Sequence, residues 1–226
     1  YLFEDADHAM LEPGLFKSLG SLFEVATDSY AYGGFLDLKA RLDDKHNHTK
    51  RDVASAVATL SYDLTGYRSA FVLCFRILLK KVMIKDKSAG ENNDNKSWNR
   101  LLNEEEEALF KGLISQLPVL DDVTLKRHLP FHLEFELYGF CDASNNGLAA
   151  VFFLRTYDPN SNARLVSFVL GKSKVRPMNT DSDAPDSIPR LELMSCCILA
   201  ELFLTIQEAY QLPTVRMSHS SSCPTK

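Results

Sequence analysis

The stretch "ELYGFCDASNNGLAAVFFLRTYD", residues 136–158, decides the fold. Two apolar runs flank "ASNNG", a cluster of small, turn-forming residues. Strand side chains alternate between two faces. Leu133, Phe135 and Leu137 therefore line one face, with Glu134, Glu136 and Tyr138 on the other. The first run ends on a carboxylate, Asp142. That residue is either a turn former or an acid held at the end of a rigid strand.

"DPNSN" at 158–162 gives a second turn, and "ARLVSFVLGKSKV" at 163–175 gives a third strand. The expectation is an antiparallel three-stranded meander. A polar loop, 176–189, leads to a long apolar helix over about 189–210. "TVRMSHS" at 214–220 fits a fourth strand. Upstream, 49–84 reads as two helices broken at "YDLTG", 62–66. Thr49 is the candidate N-cap of the first, with Val53, Val57 and Leu60 on one face. The second turns basic at Lys80, Lys81 and Lys85, which the helix dipole favours over a phosphate role. Trp98, Leu101, Leu102, Leu109, Phe110, Leu113 and Leu117 fall near one helical face, with Glu104–Glu107 as solvated or first-turn charge. Residues 118–130 form a Pro-bounded connection, and Leu15, Leu19, Leu22 and Phe23 have helical spacing. The fold class is α/β of the α+β kind: a mainly helical region at 1–130, then a mixed sheet at 131–226.

The chain has 226 residues, 45% apolar and 24% charged, ordinary for a soluble globular protein. A net charge of −5 gives no global attraction to nucleic acid, though a local basic groove is compatible with it. Five cysteines without a Cys-x-x-Cys pair point to neither a disulfide framework nor a zinc site, and to a reducing intracellular compartment, cytoplasmic or nuclear. The opening "YLFEDADHAM" lacks a signal-peptide core and an initiating Met, as a fragment would. The apolar runs are too short to span a bilayer. No Gly-rich phosphate loop or Ser-His-Asp arrangement stands out. Asp142-Ala143-Ser144 lacks the Asp-Ser/Thr-Gly turn of aspartic peptidases. His46 and His48 read as a solvated turn, and Cys196 and Cys197 as core residues.

A meander followed by a helix and another strand is the opening of a ribonuclease H-like fold. That architecture gathers carboxylates from separate elements, because two Mg²⁺ ions need hard oxygen ligands. Asp142 ends the first strand, and Glu192 follows Pro189 near the helix start. These two are the candidate catalytic and metal-binding residues. On pattern alone they are either a shared site or unrelated surface acids. Lys172, Lys174, Arg176 and Arg190 flank them in sequence, as phosphate contacts or as an ordinary charged edge.

Several stretches resemble the polyprotein of BEL/Pao-type LTR retrotransposons, from the end of reverse transcriptase into ribonuclease H. "TKRDVASAVATLSYDLTG" at 49–66 is similar to that family's helix ending in Phe-Asp-Pro-Leu-Gly, here Tyr62-Asp63-Leu64-Thr65-Gly66. "ELYGFCDAS" resembles its first ribonuclease H strand, "FFLRTYD" its second, and "GKSKVRP" at 171–177 its Ala-Lys-Ser-x-Val-x-Pro motif. "IPRLEL" at 188–193 resembles the helix carrying the second acid. The resemblance covers about residues 48–210. It implies an RNA–DNA hybrid partner, Mg²⁺ or Mn²⁺ as cofactor with no small-molecule cofactor, and hydrolysis of the RNA strand through Asp142 and Glu192. The family's third acid falls on His219 in Met217-Ser218-His219-Ser220, a poor Mg²⁺ ligand, so impaired cleavage is expected. A non-catalytic binding or structural remnant is the alternative.

Overall fold

A computed structural model describes residues 10–12, 15–18, 21–31, 36–88, 98–120, 122–131, 134–158, 163–177 and 187–212. The described residues begin with four short strands, β1 (Met10–Glu12), β2 (Leu15–Ser18), β3 (Ser21–Glu24) and β4 (Ser29–Ala31). Each pairs antiparallel with the next, and β5 (Thr124–Lys126) closes a five-stranded sheet beside β4. This corrects two expectations. Leu15, Leu22 and Phe23, expected in a helix by their spacing, lie in β2 and β3, Leu19 lies outside the described residues, and the connection at 118–130 contains a strand. Four residues at i, i+4, i+7 and i+8 fit a helix locally. Antiparallel pairing of β2 with β3, such as Phe16↔Phe23, overrides that preference.

The helical block follows: α1 (Leu36–Asp43), α2 (Lys50–Leu60), α3 (Ser69–Ser88) and α4 (Glu104–Ser115), then a 3₁₀ turn at Leu117–Leu120. Thr49 does cap α2. Its side chain accepts from the Asp52 amide, and Asp52 accepts from the Thr49 amide at 2.8 Å, a reciprocal capping box. Asn103 and Glu106 repeat the device on α4. That cap is why Trp98, Leu101 and Leu102 stay outside the helix they were expected to join. Instead 98–102 lies along 48–51, with Arg51 N donating to Trp98 O and Leu102 N to His48 O, each 2.9 Å. Val53, Ala56, Leu60, Phe75, Val82, Phe110 and Ile114 form the core of this block, all essentially fully buried. Each large side chain there contributes roughly 1.5–3 kcal/mol by leaving water.

His48 is buried in this core, which corrects its reading as part of a solvated turn. Its Nδ1 lies 2.7 Å from Glu107 Oε1 and its Nε2 2.9 Å from Leu42 O. The Glu104–Glu107 run is first-turn charge of α4, as expected, and Glu106 within it is buried against Arg100 at 3.2 Å.

The meander is as expected. Strands β6 (Glu134–Ala143), β7 (Gly147–Asp158) and β8 (Ala163–Val175) form an antiparallel sheet in the order β6-β7-β8. Helix α5 (Ile188–Ala209) packs on one face. Leu148, Phe152, Leu154, Leu191, Ile198, Leu202 and Ile206 make a second core there. The mixed α+β class holds. The proposed strand at 214–220, and His219 with it, lies outside the described residues.

Helix α3 joins the two cores. One side is buried in the helical block, and the other lies along β8 through polar contacts. Ser173 Oγ donates to Ser69 O (2.6 Å), Arg76 Nη1 to Ser173 O (3.4 Å) and Lys80 Nζ to Arg176 O (2.7 Å). Just before α3, the Tyr62–Gly66 loop docks on the same strand. The Asp63 carboxylate shapes it by accepting from the amides of Thr65, Gly66 and Arg68. Thr65 O then accepts from Gly171 N at 2.9 Å, so the loop covers part of the β8 edge.

Candidate functional site

Asp142 is the penultimate residue of β6, opposite Ala149, and its side chain is exposed. It does not make the turn. Ser144 does: its amide donates to Gly147 O at 2.8 Å, and its hydroxyl accepts from the amides of Asn146 and Gly147 at 3.3 Å. Asp142 Oδ1 only accepts from the next amide, Ala143 N, at 2.8 Å.

Glu192 is exposed on α5, and its backbone carbonyl accepts from Ser195 Oγ at 2.7 Å. The helix runs antiparallel to β6. Cys196 lies over Cys141, with their sulfurs 3.6 Å apart, and a Cβ on Gly139 would meet Leu199 at 3.0 Å. Four residues back along the helix from Cys196 is about 6 Å, or about two strand residues beyond Cys141. Glu192 is thus level with the Asp142–Ala143 end of β6.

The two carboxylates reach that level on different sides. Cys141 faces α5, so Asp142 faces away from it. The cross-strand row Asp142–Ala149–Ser173 agrees, because Ser173 bonds to α3 on the opposite face. Among the described residues, no group of three or more His, Cys, Asp or Glu is placed to hold a metal ion. The donor chemistry of Asp142 and Glu192 suits Mg²⁺, but two acids on opposite sides of a strand do not make a two-metal site.

The basic residues also divide. Lys172 lies in the row of Ala150, on the α5 face, and its Nζ is 3.3 Å from Glu201. Lys174 is exposed opposite Leu148, on the same face as Lys172, and Arg190 is exposed two residues before Glu192. Arg176 donates its amide to Asn146 O at 3.0 Å, beside the turn that follows Asp142. Lys80 reaches the same place from α3. It is mid-helix and bonds to Arg176 O, so it does not cap its own helix. Burial, with Arg176 close by, pulls the Lys80 ammonium below its usual pKa. Sequence reasoning missed Arg76 and gave Lys80 to its own helix end, because their partners, Ser173 on β8 and Arg176 just after it, lie far along the chain.

Cys196 and Cys197 are exposed, which corrects their assignment to the core. The hydrogen bond with the Cys141 thiol, followed by burial, raises the pKa of Cys196. His46 is exposed and His48 is committed to Glu107 and Leu42, so they do not form a metal pair.

A family model described as the Pao retrotransposon-like RNaseH-like domain matches residues 49–222. The chain belongs to this family. No curated protein matches it. The match begins at the cap of α2, so this Pao RNaseH-like domain takes in α2–α5 as well as the β6–β8 sheet. It also gives meaning to the docking on β8. The motif at 62–66 and the motif at 171–177 touch, Thr65 to Gly171 and Gly66 to Gly171. Among the described residues of the domain, no helix is long and apolar enough to cross a membrane.

Proposed function

We propose that this Pao RNaseH-like domain binds RNA–DNA hybrid as part of a retrotransposon polyprotein, inside the cell, and that its cleavage of the RNA strand is impaired. One observation supports this reading above the others. Asp142 and Glu192 stand level at one end of the sheet, with Lys174, Arg176 and Arg190 on the neighbouring elements. Cations there neutralise phosphates and hold a duplex by its backbone, without reading sequence. Impairment is supported by the opposed sides of the acid pair and by His219 at the position of the third acid. No hydrolytic step is assigned to the pair.

The test is binding of a labelled RNA–DNA hybrid against DNA duplex of the same length over a salt series, with cleavage followed in Mg²⁺ or Mn²⁺. Tighter hybrid binding is expected, with slow cleavage that Asp142→Asn removes. Equal binding to both duplexes would end the hybrid reading. Fast turnover, or turnover unaffected by Asp142→Asn, would end the proposed impairment or the role of that acid.

A further inference from the structure

We propose that Cys141 and Cys196 are a modification site, at which exchange with a low-molecular-weight disulfide closes a reversible cross-link between β6 and α5. The two sulfurs lie 3.6 Å apart on different elements, 55 residues apart in sequence. A disulfide holds its sulfurs about 2.05 Å apart, so closure needs an approach of about 1.5 Å. Cys196 is exposed and Cys141 half-buried, so the outer thiol meets the reagent first and the inner one resolves it. Cys197 is turned about 100° around the helix from Cys196, away from β6.

The chemistry balances with glutathione disulfide as oxidant. The Cys196 thiolate attacks one sulfur of glutathione disulfide and expels a glutathione thiolate. The Cys141 thiolate then attacks the Cys196 sulfur in the mixed disulfide and expels the second. The protein loses two electrons and two thiol protons, and the glutathione gains both. The link would fix α5 against β6 one residue before Asp142 and one helical turn after Glu192. It does not depend on what those acids do.

The full chain is incubated with glutathione disulfide, its thiols counted, its peptides mapped and its amide exchange measured. Free thiols fall from the sequence's five to three, one peptide joins Cys141 to Cys196, and dithiothreitol restores all five. Cys197→Ser still closes the link, whereas Cys196→Ser does not. Exchange over residues 192–199 slows in the oxidised protein because α5 can no longer lift off the sheet. Three results would overturn the proposal: glutathione retained on Cys196 beside a free Cys141, a link from Cys196 to another cysteine, or unchanged exchange after complete closure. The wild-type peptide map decides even where a variant fails to fold.

Discussion

Gly66 sits at φ +73° against the backbone of Gly171, so close that a Cβ on Gly66 would lie 1.7 Å from the Gly171 carbonyl oxygen. Two requirements meet at this residue: a left-handed backbone and no side chain. Gly66→Ala should therefore cost about 3 kcal/mol, from backbone strain and from pushing the loop off β8. Gly171→Ala meets its nearest atoms at 3.2 Å and should cost less, about 1 kcal/mol. Urea denaturation of both variants measures the difference, and equal costs would contradict this account of the seam.

Acid should weaken the helical block. Burial pushes the Glu107 carboxyl up, but hydrogen bonds from His48 and Lys111 outweigh it and hold its pKa below the usual 4.5. Asp52 is also held below its usual 3.8, with burial opposed by Lys45 and by the Thr49 cap. A carboxylate with a lowered folded pKa stabilises fully above its unfolded value and stops doing so as pH falls through the folded one. The urea midpoint should drop below about pH 4.5, and Glu107→Gln and Asp52→Asn should flatten that fall. At pH 7, Glu107→Gln should cost on the order of 1–3 kcal/mol by weakening the bond to His48.

Asp142 and Glu192 are exposed, and neither side chain supports the turn or the helix start. Asp142→Asn and Glu192→Gln should each change stability by less than about 0.5 kcal/mol. A larger loss in denaturation would mean that the acids serve the fold.

The lysines of β8 should separate in binding. Lys174→Ala should lower the slope of log affinity against log salt by about 1 if Lys174 neutralises a phosphate. Lys172 pairs with Glu201, so Lys172→Ala should leave the slope nearly unchanged. Titrations at several salt concentrations compare them directly.

The meander was legible because period-two alternation and turn chemistry are local signals, and "ASNNG" and "DPNSN" fixed its two turns. The cap at Thr49 was legible for the same reason. The parity of Asp142 was also readable: it is in phase with Glu134 and Glu136, away from the apolar face that α5 covers. What stayed hidden is non-local. Strand β4 finds β5 only through residues such as Ser29 and Lys126, and nothing near Ser29 announces that pairing. Lys80 and Arg176 are 96 residues apart, so Lys80 looked like a helix cap. Asn103 placed the start of α4 beyond Trp98, and only the reciprocal bond to Glu106 marks it.

The seam between α3 and β8 also sets an order of events during synthesis. Ser69 and Ser173 are 104 residues apart, so α3 leaves the ribosome well before the strand it bonds to. At ordinary elongation rates that delay is roughly 5–20 s. Helix α3 is thus offered to the nascent chain with Arg76 and Lys80 still facing water. Its second side is completed only when β8 arrives.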